Sequence, residues 1–228
     1  MTRMTAAQAD AVWDAIDGQR ARTADLLVQL TAEQWDHPSL CRGWSVRHVA
    51  AHLTLQQQRP RDVAAFVAHN PRMLRSVTLN ATIHDSAVLQ AGMLSSGEIT
   101  TRIRAMIGSR RHNVFVTPLE TLTDILVHGQ DIAIPLGLDL PMRPTATTLA
   151  ATRRWDTRRT WLSQVFRRLP LEDYRLTATD TDWTRGQGPE VAGPIGALLL
   201  LLTGREAALE HLAGDGAHAL RSAVSGSV

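Results

Sequence analysis

Apolar residues recur every three or four positions along most of the chain, which is the period of an amphipathic helix. Residues 5–30 carry Val12, Ile16, Leu26, Leu27 and Leu30 among their apolar positions. Thr31 followed by Gln34 has the form of a capping box and opens a short turn. Ser45 is a favourable N-cap for a helix over 46–58, whose stripe is Val46, Val49, Ala50 and Leu53. Pro60 sits at an N1-like position of the next helix, which runs to His69 and breaks at Asn70-Pro71. Helical spacing continues over 73–94, 99–107, 120–135 and 147–168. The pattern then changes. Residues 174–184 alternate like a strand, Gly186 to Gly188 read as a turn, and 189–192 read as a short second strand. A strongly apolar helix is expected over 195–212, and 214–228 is small, polar and expected to fray. The predicted fold class is mainly α. An antiparallel four-helix bundle takes residues 1–170, and a small C-terminal β-hairpin plus helix takes 171–228.

The stretch 120–135 organises the rest. At about 100° per residue, Thr121, Asp124, His128 and Asp131 fall within about 80° of arc. Leu122, Ile125 and Ile132 continue that arc as an apolar stripe. Asp124 and His128, one turn apart, therefore stand at the edge of the buried face. An acid and an imidazole held there need a partner, because burying them unpaired is costly. Two readings follow. One is a hydrogen-bonded Asp–His pair capping a core. The other is a pair of metal ligands supplied by one rigid element. The 46–58 helix offers His48 and His52 at the same spacing. His52 lies at the margin of its stripe and reads, taken alone, as a satisfied semi-buried side chain. His48 lies further toward solvent, and His84 and Asp85 read as surface residues.

Composition narrows the function classes. A chain of 228 residues with 44% apolar content supports a sizeable core. No signal-peptide pattern is present, and the apolar run 195–202 is too short to span a bilayer, so a soluble, cytoplasmic protein is expected. The single cysteine, Cys41, excludes an intrachain disulfide and reads as a small buried residue. All 24 basic residues are arginine, and the net charge is +2. Arginine pairs at 110–111, 153–154, 158–159 and 167–168 read as solvated faces. The near-neutral balance, with only Trp155 and Trp161 interleaved, argues against a nucleic-acid surface. An anionic small-molecule partner is the more economical use of some of these arginines.

Three stretches together resemble the mycothiol-dependent maleylpyruvate isomerase family, part of the DinB-like group of metal-binding four-helix bundles. They are LCRGWSVRHVAAHL from Leu40, LTDILVHGQDI from Leu122 with Pro135-Leu-Gly, and ATDTDWTRGQGPEV from Ala178 with Leu202-Thr-Gly-Arg205. The resemblance implies that His52, Asp124 and His128 bind a divalent metal, taken to be zinc. It departs at Asp124, where the family's isomerases carry glutamate, one methylene longer. Three protein ligands leave the fourth tetrahedral position open, as in a catalytic site. A thiol sharing that site loses its proton more readily. The resemblance thus implies mycothiol as thiol cosubstrate and no need for a protein cysteine nucleophile. It also implies a carboxylate-binding role for Arg205. Asp131, one turn beyond His128, is assigned either to orienting a ligand or to a structural role at the helix end. Trp183 reads as packing for the hairpin.

The leading expectation is therefore a zinc-dependent thiol transferase or thiol-assisted isomerase, acting on a small electrophile. A metal-dependent hydrolase is a second reading, opposed by the lack of a general base other than Asp131. A non-catalytic metal- or thiol-binding module is a third. Homodimerisation through a bundle face stays open, and neither nucleic acid nor membrane is an expected partner.

Overall fold

The computed structural model describes residues 4–70, 78–114, 116–160 and 169–225. The chain divides into two compact units, Met1–Pro141 and Met142–Val228. This division falls ahead of the expected boundary at 170, because α8 (Pro144–Thr157) packs against α9 (Ile195–Leu202). Residues 71–77, in the expected 73–94 helix, and 161–168, with the 167–168 arginine pair, lie outside the described residues.

The first unit is helical. Its elements are α1 (Ala6–Val28), α2 (Ala32–Asp36), α3 (Val46–Leu53), α4 (Pro60–His69), α5 (Leu79–Met93), α6 (Ser96–Ala105) and α7 (Pro118–Ala133). Side-chain caps set most of the starts. Thr5 with Gln8, Thr31 with Gln34, and Ser95 with Glu98 form reciprocal capping boxes. Thr117 with Glu120 does the same for α7, and Pro118 fills the first helical position. The bundle brings α1 against α6 and α7, and α3 against α5, α6 and α7. Leu27, Val49, Leu53, Ile99, Ile103, Ile125 and Ile132 are buried in its core. Gly129 of α7 faces α1. A Cβ there would meet Leu140 Cδ2 at 2.8 Å and lie 3.5 Å from Gln19 Nε2 and Thr23 Oγ1. The helix α7 is buried on nearly all sides, so Asp124, His128 and Asp131 sit on an enclosed element.

The second unit carries a three-stranded sheet, order β2-β1-β3, formed by β1 (Arg175–Ala178), β2 (Thr184–Arg185) and β3 (Glu190–Gly193). The stretch 174–184, expected as one strand, holds both arms of the hairpin: β1 and β2 pair antiparallel. The segment at 189–192 pairs parallel to β1, with Leu176 opposite Val191. The apolar helix also ends earlier than expected. α9 stops at Leu202, Gly204 takes φ +79°, and a 3-10 turn follows at Glu206–His211. The tail expected to fray instead forms α10 (Asp215–Ser225), which packs on β3 and buries Ala217 and Leu220. Its apolar positions Ala217, Leu220 and Val224 do fall at helical spacing, but they are mostly small and stand among Gly214, Gly216, Ser222 and Ser225, whose composition masks the period in the sequence. Trp183 is buried, and its Nε1 donates to Thr152 Oγ1 at 3.0 Å. Among the described residues no helix is long and apolar enough to cross a membrane.

Candidate metal centre

The bundle brings His52 of α3 to Asp124 and His128 of α7. His52 Nε2 lies 3.4 Å from Asp124 Oδ1, and His128 Nε2 lies 3.3 Å from the same oxygen. The three ligand atoms lie within 4.8 Å of one another. These separations are long for N–H···O hydrogen bonds, which centre near 2.9–3.0 Å. They match the edge of a tetrahedron with metal–ligand bonds of about 2.0 Å, which is about 3.3 Å. Two imidazole nitrogens and one carboxylate oxygen are also a donor set that suits zinc. The residues present therefore fit a divalent ion. The rings of His52 and His128 meet edge to face at 4.9 Å between centroids.

Two of the three residues, His128 and Asp124, are held from behind. His128 Nδ1 lies 2.7 Å from Asp131 Oδ2, one helical turn further along α7. That bond keeps a proton on Nδ1, so Nε2, which faces Asp124 and His52, is the nitrogen left to ligate a cation once its own proton is given up. Asp131 is fully buried. Its backbone carbonyl also accepts from Leu40 N at 3.1 Å, which ties the 38–45 loop to α7. Gly43, at φ +80°, takes the left-handed turn of that loop, and Trp44 N returns to Cys41 O at 2.9 Å. The turn sets Trp44 against both ligand rings, with centroids 5.5 Å from His52 and 6.3 Å from His128. It also aims Cys41 inward. Cys41 Sγ donates to Asp131 Oδ2 at 3.1 Å and lies 3.7 Å from His128 Nδ1. Cys41 is thus half-buried beside a ligand, not simply a small core residue.

Cys41, His128 and Asp131 form a second cluster of donor atoms. It uses the opposite edge of the same imidazole. Its short Nδ1–Oδ2 separation is that of a hydrogen bond, so it supports His128 and does not compete for the ion. Asp124 Oδ2 accepts from Gln56 Nε2 at 2.7 Å.

Electrostatics follow the pairing. Burial would raise the Asp124 carboxyl, but the His52 and His128 rings override it and hold the group well below its ordinary 3.8. Burial opposes charge on His128 too. There the Asp124 carboxylate wins, with Cys41 and Asp131 behind it, and the imidazole rises well above 6.5. His48 stands apart. Its Nδ1 accepts from Ser45 N at 3.0 Å, so the ring caps α3 and does not join the site. Burial first, then the charges of His84 and Arg47, lower its pKa, which suits an acceptor nitrogen. His84 is exposed, 3.3 Å from Asp85, and its ring lies 6.0 Å from Trp44. Arg205 belongs to the second unit, where its Nη1 donates to Thr203 O at 2.7 Å at the start of the Glu206–His211 turn.

The triad and Asp131 were legible from helical spacing and the resemblance. Cys41 and Gln56 as neighbours of the ligands were not, since no periodicity links a loop residue or a turn residue to a distant helix.

Comparison with known proteins bears on the family and the fold. A family model described as the mycothiol maleylpyruvate isomerase N-terminal domain matches residues 16–133, the span that contains His52, Asp124 and His128. The crystal structure of a mycothiol-dependent maleylpyruvate isomerase is similar in fold, with TM-score 0.56 at 13% identity, covering 92% of this chain and 93% of that one. A histidine-to-alanine mutant of such an isomerase matches with TM-score 0.56 at 12% identity over the same shares. No curated protein sequence matches. Since the family model takes in more than half of the chain, including α3, α7 and the ligands they carry, the protein belongs to the mycothiol maleylpyruvate isomerase N-terminal domain family.

Proposed function

We propose that the protein is a divalent-metal-dependent enzyme that adds a low-molecular-weight thiol, mycothiol, to a small electrophile, as a thiol transferase or a thiol-assisted isomerase. The observation that carries the reading is the tetrahedral-edge spacing of His52, Asp124 and His128. The family membership of the same stretch supports it. His52 Nε2, Asp124 Oδ1 and His128 Nε2 would hold the ion. A bound zinc would supply the positive charge that lowers the pKa of a thiol beside it.

The chain's own residues prepare that site. Asp131 keeps a proton on His128 Nδ1, so Nε2 is the nitrogen that would release its proton and bind the ion. Trp44 packs beside both imidazole rings and helps to fix their orientation. The thiol gives up its S–H proton to solvent, and its sulfur forms a bond to the electrophilic carbon as that carbon's π bond breaks. The displaced electron pair takes a proton at the substrate. In a transferase this adduct is the product. In an isomerase the former double bond, now single, rotates, and the proton gained by the substrate returns to solvent. The double bond re-forms as the C–S bond breaks, and the thiolate takes a proton and leaves as the unchanged thiol. Asp131, the one general base available to a hydrolase reading, is buried and already accepts from His128 and Cys41. That favours the thiol reading.

Arg205 is proposed as the group that binds a substrate carboxylate, on the strength of the resemblance and of its forked donors. Arg205→Met should raise KM for an anionic electrophile about 10- to 100-fold with kcat little changed. An equal loss in kcat alone would count against that role. The central test is elemental analysis of untagged protein purified without chelators. A stoichiometric divalent ion that is lost in His128→Ala is the expected result. Wild-type protein that stays metal-free after reloading with zinc would sink the proposal.

A further inference from the structure

Behind Asp124 runs a buried polar line that the three ligands do not account for. Gln56, 5% exposed, follows α3 in the turns after Leu53. Its Nε2 donates to Asp124 Oδ2 at 2.7 Å, and its Oε1 accepts from Arg20 Nη2 at 3.3 Å. Arg20, on α1, is fully buried, and its Nη1 also donates to Met106 O at 2.9 Å. The direction of this line is fixed by chemistry. A guanidinium has only donors and a carboxylate only acceptors, so the amide between them has one orientation that satisfies both. A buried amide and a buried cation are costly unless their partners are kept, so the line resists any movement of Asp124.

We propose that Gln56, backed by Arg20, is a positioning residue that confines Asp124 to coordination through Oδ1 alone. The proposal rests on the metal-site reading above. Asp124 has two oxygens, and either or both can ligate a cation. Gln56 takes Oδ2, and the oxygen left facing His52 and His128 is Oδ1. One-oxygen binding holds the protein's share of the coordination sphere to three atoms, which keeps a fourth position for the thiol. Three elements, α1, α3 with its following turns, and α7, then determine the geometry of one carboxylate.

The test is made on the full chain, with Gln56→Met and Gln56→Ala beside wild type. Zn2+ affinity is read by chelator competition, and coordination by the visible absorption of the Co2+-loaded protein. Far-UV circular dichroism of the metal-free forms checks folding, and Gln56→Met keeps most of the volume should the alanine variant fail to fold. Loss of Zn2+ affinity by about 10- to 100-fold is expected in the variants. The Co2+ d–d bands should also weaken, as Asp124 becomes free to bind through both oxygens and coordination expands beyond four. Affinity within about twofold of wild type, with unchanged bands, would overturn the positioning role while leaving the metal site intact. Reduced affinity with unchanged bands would overturn the one-oxygen restraint. Wild-type protein that binds neither ion would overturn the metal-site reading, and this inference with it.

Discussion

The candidate site turns on which atom of each side chain faces the shared centre of His52, Asp124 and His128 and which faces the rest of the protein. His128 shows this most clearly: Nε2 belongs to the ligand triad and Nδ1 to Asp131. The proton therefore competes with the metal at a residue whose metal-free pKa is raised well above 6.5. Metal affinity should rise by about tenfold per pH unit until the pH passes that raised pKa, and then level off. The metal-free protein should show the opposite trend. His128 has a raised folded pKa, so its stabilising contribution is complete below 6.5 and is lost as pH rises through the folded value. Asp124 has a depressed folded pKa, so its contribution is present above 3.8 and is lost as pH falls through the lower folded value. Zinc titrations and metal-free melting curves across the neutral range check both trends, and a zinc affinity flat with pH would contradict the assignment. At this scale the sequence was readable wherever helical spacing alone placed a side chain, as for Asp124, His128 and Asp131. It was unreadable where the partner comes from elsewhere. Cys41 arrives through a left-handed turn at Gly43, and Arg20 reads in sequence as one more polar position on α1.

Helix starts are the best-determined elements because a cap is a local contact that the sequence spells out. Thr31 with Gln34, Ser45 and Pro60 all open helices where their residue types predict. Helix ends in the second unit were less legible. Apolar periodicity runs on past Leu202, but Gly204 at φ +79° permits a reversal that the apolar pattern does not report. The strands were equally local in appearance and non-local in fact. Nothing in 189–192 says that it pairs parallel to β1 rather than folding back as a hairpin arm. The cap of α7 matters most for function, since α7 carries two ligands and Asp131. Thr117 Oγ1 accepts from Leu119 N at 3.3 Å, and Thr117 N donates to Glu120 Oε2 at 2.7 Å. Thr117→Ala should lower stability by about 1 kcal/mol in urea denaturation. Zinc affinity should stay close to wild type, because Asp124 lies well beyond the first turn. A collapse of zinc affinity would mean that the cap, and not packing against α1 and α3, fixes the ligands.

At the scale of the molecule, two units with their own buried residues carry the fold, and all three proposed ligands lie in the first. The triad joins α3 to α7, elements about seventy residues apart in the chain, so an ion held there binds the folded state and not the unfolded one. Linkage then predicts the size of the effect. At a free zinc concentration 100 times Kd, the folded state gains about 2.7 kcal/mol. For a chain of this length that corresponds to a rise in Tm of about 5–10 °C. Chelation should remove the whole increment, and His52→Ala or His128→Ala should abolish it while leaving a metal-free melting transition. Because the ligands belong to one unit, calorimetry that resolves two transitions should show zinc moving only one of them. Zinc that moved both equally would mean that the units unfold as one cooperative body, and zinc that moved neither would leave His52, Asp124 and His128 as a hydrogen-bonded cluster within the bundle.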